Sequence, residues 1–506
     1  MLFQSVPFLF LFLPLVWAAF TILHRCAGLN AALVFLVAAS AFFYGWHTPQ
    51  YLLVIAASIC VNFAIGKRLS TGPGRSLLAW GIAFNLGLLA VFKYADFIVE
   101  NLNLIRVEAL PLPAFVLPLA ISFYTFQQIA YLIDVSRGHK PVRSFLRYAF
   151  FVGFFPQLIA GPIVHHHEIL PQLARLSPAG RRIVVNLCIG LTIFFLGLAK
   201  KLLIADNVGE IADDIFDKAG PGNIPTFVDC WYGALAFTFQ IYFDFSGYSD
   251  MAVGLGRMFG IRLPLNFYSP YKASSIIEFW RRWHITLSRF LRDYLYFSLG
   301  GGHRGPVRRY LNIMIVMLLG GLWHGAAWAF VLWGGLHGLY IVANHLWRRC
   351  SLSGSGHPVY RIAAWGLTFT AVVVAWVPFR VNDLGTALAV YREMAGLNGL
   401  KLGFARYLSV GDWETLMLNV GFEYSNGAWS LNVRFWMVVA AAVSFLAPNV
   451  YEWMRRQAPA TGMPGRAGIS GPYWSPNAVT AILIGAISAI AIVYQSRPVE
   501  FLYFQF

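Results

Sequence analysis

Charge is scarce in this chain. Only 12% of its 506 residues are Asp, Glu, Lys or Arg, and 58% are hydrophobic; the charged share is roughly half that of an ordinary soluble domain. That deficit excludes a soluble enzyme. Acidic residues are scarcer still, 22 against 38 basic ones, which leaves a net charge of +16. In a soluble chain this excess would point to nucleic acid. Here the basic residues gather in short loops between apolar runs, the pattern that orients membrane proteins with positive loops in the cytoplasm, and no nucleic-acid partner is expected. Cysteine is sparse as well: Cys26, Cys60, Cys188, Cys230 and Cys350 lie mostly within apolar stretches and form no CxxC pair. A disulfide framework or structural zinc site is therefore not expected, and no metal is assigned. Nucleotide phosphate loops, a GxSxG elbow beside any histidine, fixed-period repeats and low-complexity tracts are also missing.

What remains is a succession of apolar runs long enough to span a bilayer, which needs ~20 residues each. They centre on 5–22, 28–46, 50–66, 77–93, 113–133, 146–163, 183–204, 227–246, 310–325, 327–346, 362–379, 433–448 and 477–495. The fold class expected is an all-α polytopic membrane protein, one domain over 1–506. The first run has no early basic region and reads as a retained helix rather than a signal peptide. Basic loops around Lys67 and Arg75, Arg137 and Arg143, Arg175 and Arg182, Arg348 and Arg361, and Arg455 and Arg466 are placed in the cytoplasm. The stretch from Asp206 to Asp217 and a long loop from Val381 to Trp429, with Asp412, Glu414 and Glu423, fall opposite. Lys200 and Lys201 break this rule. The run at 146–163, interrupted by Gly153, Pro156, Gly161 and Pro162, is expected to enter the membrane and return.

Between 246 and 310 the pattern changes. Wound as one helix, Glu278 to Phe297 sets Trp280, Trp283, Leu287, Phe290, Leu291 and Tyr294 on one arc and Arg281, Arg282, Arg289, Arg292 and Asp293 opposite. His284 falls at the edge of the apolar arc. In GGLWHGAAW a second histidine, His324, interrupts an apolar helix among small residues. Ionisable groups at membrane depth are functional candidates, and an imidazole in an apolar place stays neutral and able to accept a proton. The bland alternative is an interhelical hydrogen bond. His337, in GGLHG, lies 13 residues further on; that is a rotation of ~220°, so it shares a site with His324 only if the chain bends at Gly325, and it reads as a packing residue. His165, His166, His167 and Glu168 are the densest set of metal-ligand types, but neighbouring side chains diverge, and a hydrated loop is the expectation. Asp250 is expected to cap a helix starting near Met251, and Asp244 to pair with an arginine of the 281–292 segment.

These residues, taken together, resemble the membrane-bound O-acyltransferases, in particular their bacterial branch of alginate O-acetylation subunits and D-alanine export proteins. The resemblance rests on FPQLIAGPI (155–163), FDFSGYSDMAVGLGRMFGI (243–261), NFYSPY (266–271), FWRRWHITLSRFLRDYLY (279–296), LWHGAAW, WGGLHG and the terminal FLYFQF. It covers the chain from about residue 150 onward. The family likeness implies a ring of about 11–13 transmembrane or re-entrant helices around a tunnel, with catalytic His324 and a second functional histidine, His284. It further implies a donor, acetyl-CoA, held by Arg281, Arg282 and Asp244, with no tightly bound cofactor. The implied acceptor is an exported polysaccharide such as alginate, reached directly or through a periplasmic acetyltransferase partner, in the bacterial inner membrane. D-alanyl transfer to teichoic acid-type polymers, a transporter and a scaffold subunit are the competing readings.

Overall fold

Short polar turns between apolar runs yield helices alone in the computed structural model: among the described residues there is no β-strand. The structure describes residues 1–399, 431–464, 473–494 and 501–502, apart from 71, 73, 107, 178–179, 218, 221–223 and 350–356. Asp412, Glu414, Glu423, Cys350, Arg466 and the last four residues of FLYFQF lie outside them. In chain order the helices begin with α1 (Phe8–Cys26), α2 (Gly28–Gly45), α3 (Tyr51–Leu69), α4 (Arg75–Phe92) and α5 (Ala95–Asn103). There follow α6 (Ile121–Ser136), α7 (Phe145–Gly153), α8 (Phe155–Leu158), α9 (His166–Leu173), α10 (Arg181–Ala199), α11 (Asp206–Phe216) and α12 (Phe227–Met258). The remainder are α13 (Ile276–Arg282), α14 (Ile285–Phe290), α15 (Pro306–His324), α16 (Trp328–Trp347), α17 (Pro358–Val381), α18 (Leu384–Met394), α19 (Leu431–Phe445), α20 (Val450–Trp453) and α21 (Ala478–Val493). Six of the described helices are long and apolar enough to cross a membrane, and the chain is a multi-pass, all-α membrane protein.

Four expectations change on contact with the structure. The long loop expected from Val381 to Trp429 opens with a helix, α18, while in the acidic stretch a π-helical turn, Lys200–Ala205, joins α10 to α11 without a break. Lys200 and Lys201 are counterions rather than topology signals. Lys200 Nζ meets Asp250 Oδ2 at 2.6 Å, and the buried Lys201 Nζ lies 2.7 Å from Asp206 Oδ1 and 2.5 Å from Asp244 Oδ1. Asp244 therefore pairs with a lysine on the neighbouring helix, not with an arginine of the 281–292 segment. Asp250 caps nothing, since α12 runs through it to Met258. The interrupted run at 146–163 is broken into two short helices, α7 and α8. After α8 the backbone at residues 159–165 is irregular and buried.

Glycines set how closely the helices cross. On α10 and α12, a Cβ on Gly197 would sit 2.5 Å from the Gly247 carbonyl oxygen, and one on Gly190 would sit 2.6 Å from that of Gly254. This is backbone-to-backbone packing of the small-residue kind. The α15–α16 hairpin is tighter: a Cβ on Gly321 would collide with the Phe330 carbonyl and one on Gly334 with that of Met317. The glycines of GGLWHG thus admit a neighbouring helix. Because main-chain oxygen cannot step aside, Gly321→Ala should cost at least the ~1–3 kcal/mol of ordinary overpacking. A lower melting temperature in detergent, with loss of transfer activity, is the expected result; an unchanged melt would show that the hairpin separates freely.

Candidate active site

Both histidines owe their position to a break in a helix. The single amphipathic helix expected over 278–297 does not form. Instead α13 ends at Arg282, Trp283 is extended, and His284 adopts a left-handed conformation (φ 40°, ψ 54°) before α14 resumes at Ile285 and passes into a π-helical turn, Leu291–Tyr296. Asn266, from the NFYSPY segment, locks this bend. Its main-chain oxygen accepts from Ile285 N–H at 2.9 Å, and its Oδ1 accepts from Thr286 Oγ1 at 2.9 Å and Thr286 N–H at 3.3 Å. An amide oxygen with two such donors has to be an acceptor for the third group too. His284 Nδ1, 3.1 Å away, therefore carries a proton, and Nε2 holds the lone pair.

His324 ends α15, and the extended residues Gly325 and Ala327 turn the chain into α16. The last carbonyls of a helix lack internal partners, and here two adjacent residues supply them. Lys93 Nζ donates to Trp323 O at 2.6 Å and to His324 O at 2.9 Å, while Tyr94 Oη donates to Leu322 O at 3.0 Å. The sequence reading missed both residues; their signal, a Lys-Tyr pair directly after an apolar run, looks like ordinary snorkelling.

The breaks bring the two imidazoles together. His284 and His324 are 1% and 5% exposed, with ring centroids 6.5 Å apart. Trp323, Trp333 and Phe379 lie around His324 at 4.9, 5.0 and 5.3 Å, and Phe245 stands edge-on to His284 at 4.8 Å. A cavity of about 80 Å³ reaches His324, lined among others by Lys93, Leu119, Ala120, Ser122 and Trp323. The bend at Gly325 also returns His337 to the neighbourhood. It sits 4.9 Å from Trp333, on the same indole as His324, but its Nδ1 is used by Trp280 Nε1–H at 3.3 Å.

The remaining expected residues lie further out. Arg282 is held by Glu278 at 2.6 Å, one turn back on α13, and Arg281 is exposed. Asp244 has one oxygen on Lys201 and the other accepting from Leu502 N–H at 3.1 Å. The histidine run is not the hydrated loop expected. His165 and His166 are each 5% exposed, because the chain turns into α9 at this point and folds them against α6. Burial pushes the His166 imidazole down to about 4, so it is neutral near pH 7. Together with Asp134, Arg137, Arg289 and Tyr294, His165 and His167 border a separate pocket of about 430 Å³.

Residues 139–374, which contain both histidines, match the sequence profile of MBOAT, the membrane-bound O-acyltransferase family. A peptidoglycan O-acetyltransferase of Helicobacter pylori is 42% identical over 79% of this chain and 81% of its own length. The chain belongs to the membrane-bound O-acyltransferase family. A probable alginate O-acetylase of Pseudomonas putida is 40% identical over 83% of this chain and 82% of its own. A teichoic acid D-alanyltransferase of Streptococcus thermophilus is 27% identical over 46% and 57%. As a membrane-bound O-acyltransferase the chain is an enzyme, and the transporter and scaffold readings fall away. In this O-acyltransferase the WHG histidine and the histidine of the 279–296 motif, 40 residues apart in sequence, share one buried aromatic chamber.

Proposed function

We propose that the protein O-acetylates an exported cell-surface polysaccharide, taking the acetyl group from acetyl-CoA on the cytoplasmic side. The observation that carries the reading is the buried pair His284–His324, one imidazole fixed by Asn266 and the other at a helix end opening on a cavity. His324 Nε2 or Nδ1 takes the proton of the acceptor hydroxyl as its oxygen attacks the thioester carbonyl carbon. The C–S bond then breaks, and the proton passes from the imidazolium to the leaving thiolate. His284, held in one tautomer, positions the reacting groups, and confinement supplies much of the remaining rate.

Arg281 and Arg282 bind the donor's phosphates, Arg281 as the open guanidinium and Arg282 shared with Glu278. Asp244 serves the donor site indirectly, by holding α12, and with it Phe245, against His284. Acetyl is favoured over D-alanyl because the O-acetyl-transferring relatives align over most of their length and the D-alanyl one over about half. The acceptor polymer is reached through a periplasmic acetyltransferase partner, and the protein works in the bacterial inner membrane.

Purified protein should release CoA from acetyl-CoA only when a hydroxyl acceptor is present. Arg281→Ala should raise the donor concentration for half-maximal rate several-fold with the maximal rate retained. Turnover of a D-alanyl thioester in preference to acetyl-CoA would overturn the acetyl reading, and an Arg281 variant with unchanged donor dependence would move the donor elsewhere.

A further inference from the structure

Two buried polar atoms, one on the wall of the pocket beside the histidine run and one on the histidine run itself, have no hydrogen-bond partner. They are Asp134 Oδ2 and His166 Nδ1, and both residues are only 5% exposed. Leaving such groups unmet is costly. Their residues belong to one constellation: Asp134, His166 and His167 each bring a ligand-type atom within 4.8 Å of the other two. Asp134 Oδ2 and His167 Nδ1 are 3.7 Å apart, too long for a hydrogen bond. It is close to the ~3.4 Å edge of a tetrahedron with metal–ligand bonds of ~2.1 Å.

We propose that Asp134, His166 and His167 bind one divalent transition-metal ion, Zn²⁺ by the character of the ligands, with the fourth position open to the pocket. Two imidazoles and a carboxylate are a ligand set suited to zinc. Their divergence along the chain, which made the run look unfit, is overcome because the third ligand comes from α6. His165 is excluded as a ligand through Nδ1 by its hydrogen bonds. Tyr294 Oη donates its only proton to Asp134 Oδ1 at 2.7 Å, so His165 Nδ1, 3.1 Å from Tyr294 Oη, must donate to the phenol oxygen. Tyr294 and His165 are then the outer partners that orient the ligating carboxylate, an arrangement typical of metal sites. Closing the set from within 4.8 Å to the ~3.4 Å spacing around such an ion takes at most ~1.4 Å, part of which the half-exposed His167 supplies by rotation. Bound there, the ion ties α6 to α9 and, through Tyr294, to the π-helical turn that follows His284 and α14.

The test uses the full-length protein purified in detergent without a histidine tag, stripped with chelator, titrated with ZnCl₂ and passed through a sizing column before metal analysis. Wild type should retain about one Zn²⁺ per chain, and CoCl₂ in its place should give the intense visible bands of a four-coordinate cobalt site. His167→Ala, which removes a partly exposed side chain and should leave the fold intact, should retain almost none. His345→Ala, a histidine on α16 beside Arg309, should behave as wild type. Zn²⁺ should also raise the melting temperature of wild type and leave that of His167→Ala unmoved. Wild type that retains no zinc, or a His167 variant that retains as much as wild type, overturns the proposal.

Discussion

His324→Ala should lower the maximal rate of acyl transfer by about 10²- to 10⁴-fold, the usual contribution of a positioned general base, while the protein still folds. The substitution spares what holds the backbone at this point, since Lys93 bonds to the main-chain oxygens of Trp323 and His324 and not to the ring. What is lost is an imidazole resting among Trp323, Trp333 and Phe379. The cavity left behind should cost no more than the ~1–3 kcal/mol typical of single substitutions. His337→Ala is the informative companion, because it empties a position on the same indole and strands the Trp280 N–H. It should destabilise the protein comparably yet keep the rate per folded molecule within a small factor. Transfer to a soluble hydroxyl acceptor, normalised to monodisperse protein, checks both. Equal loss in the two variants would mean that the chamber, and not the His324 base, is what the reaction requires.

The second large effect is expected at Lys201, and on stability. Its ammonium is 2% exposed and is shared by the carboxylates of Asp206 and Asp244. Lys201→Met would leave the buried Asp244 and the half-buried Asp206 carboxylates without their cation, and breaking a buried pair in this way costs ~3–5 kcal/mol. Asp244 is also joined to Leu502 N–H, and its neighbour Phe245 packs edge-on against His284, so activity should fall with stability. Replacing the carboxylates as well, in Lys201→Met with Asp244→Asn and Asp206→Asn, should recover much of the loss, since the penalty comes from unpaired charge rather than from a missing side chain. Thermal melting in detergent would show it. A single Lys201→Met variant as stable as wild type would remove this ion pair from the account of the fold.

How far the sequence could be read depended on the range of the interactions involved. Apolar runs are local, so most helices lie where hydropathy puts them, and the short-range motifs around His284 and His324 identified both rings. Three things were not local. The partner of Asp244 is 43 residues away, on another helix, and no periodicity connects them. The apolar arc of 278–297 continues on either side of Trp283, so a pattern of side chains gave no sign of a bend that is imposed by Asn266 from the preceding segment. The histidine run looked hydrated because its neighbours on α6, Asp134 above all, are distant in the chain and become adjacent only when α9 packs beneath them. Lys93 and Tyr94 were overlooked for the same reason: what they cap is a helix end some 230 residues later.

The left-handed backbone at His284 has a further consequence. A residue with a Cβ in that conformation gives up roughly 1–2 kcal/mol that glycine does not, and strain of this kind is tolerated where the surroundings enforce it. Inside a helix alanine outranks glycine by ~1 kcal/mol; at position 284 the order is inverted, with glycine the residue the main chain would accept most easily. Chains selected only for yield would drift toward glycine here and lose the ring that Asn266 holds in place. Selection for folding and selection for chemistry therefore pull on this one position in opposite directions.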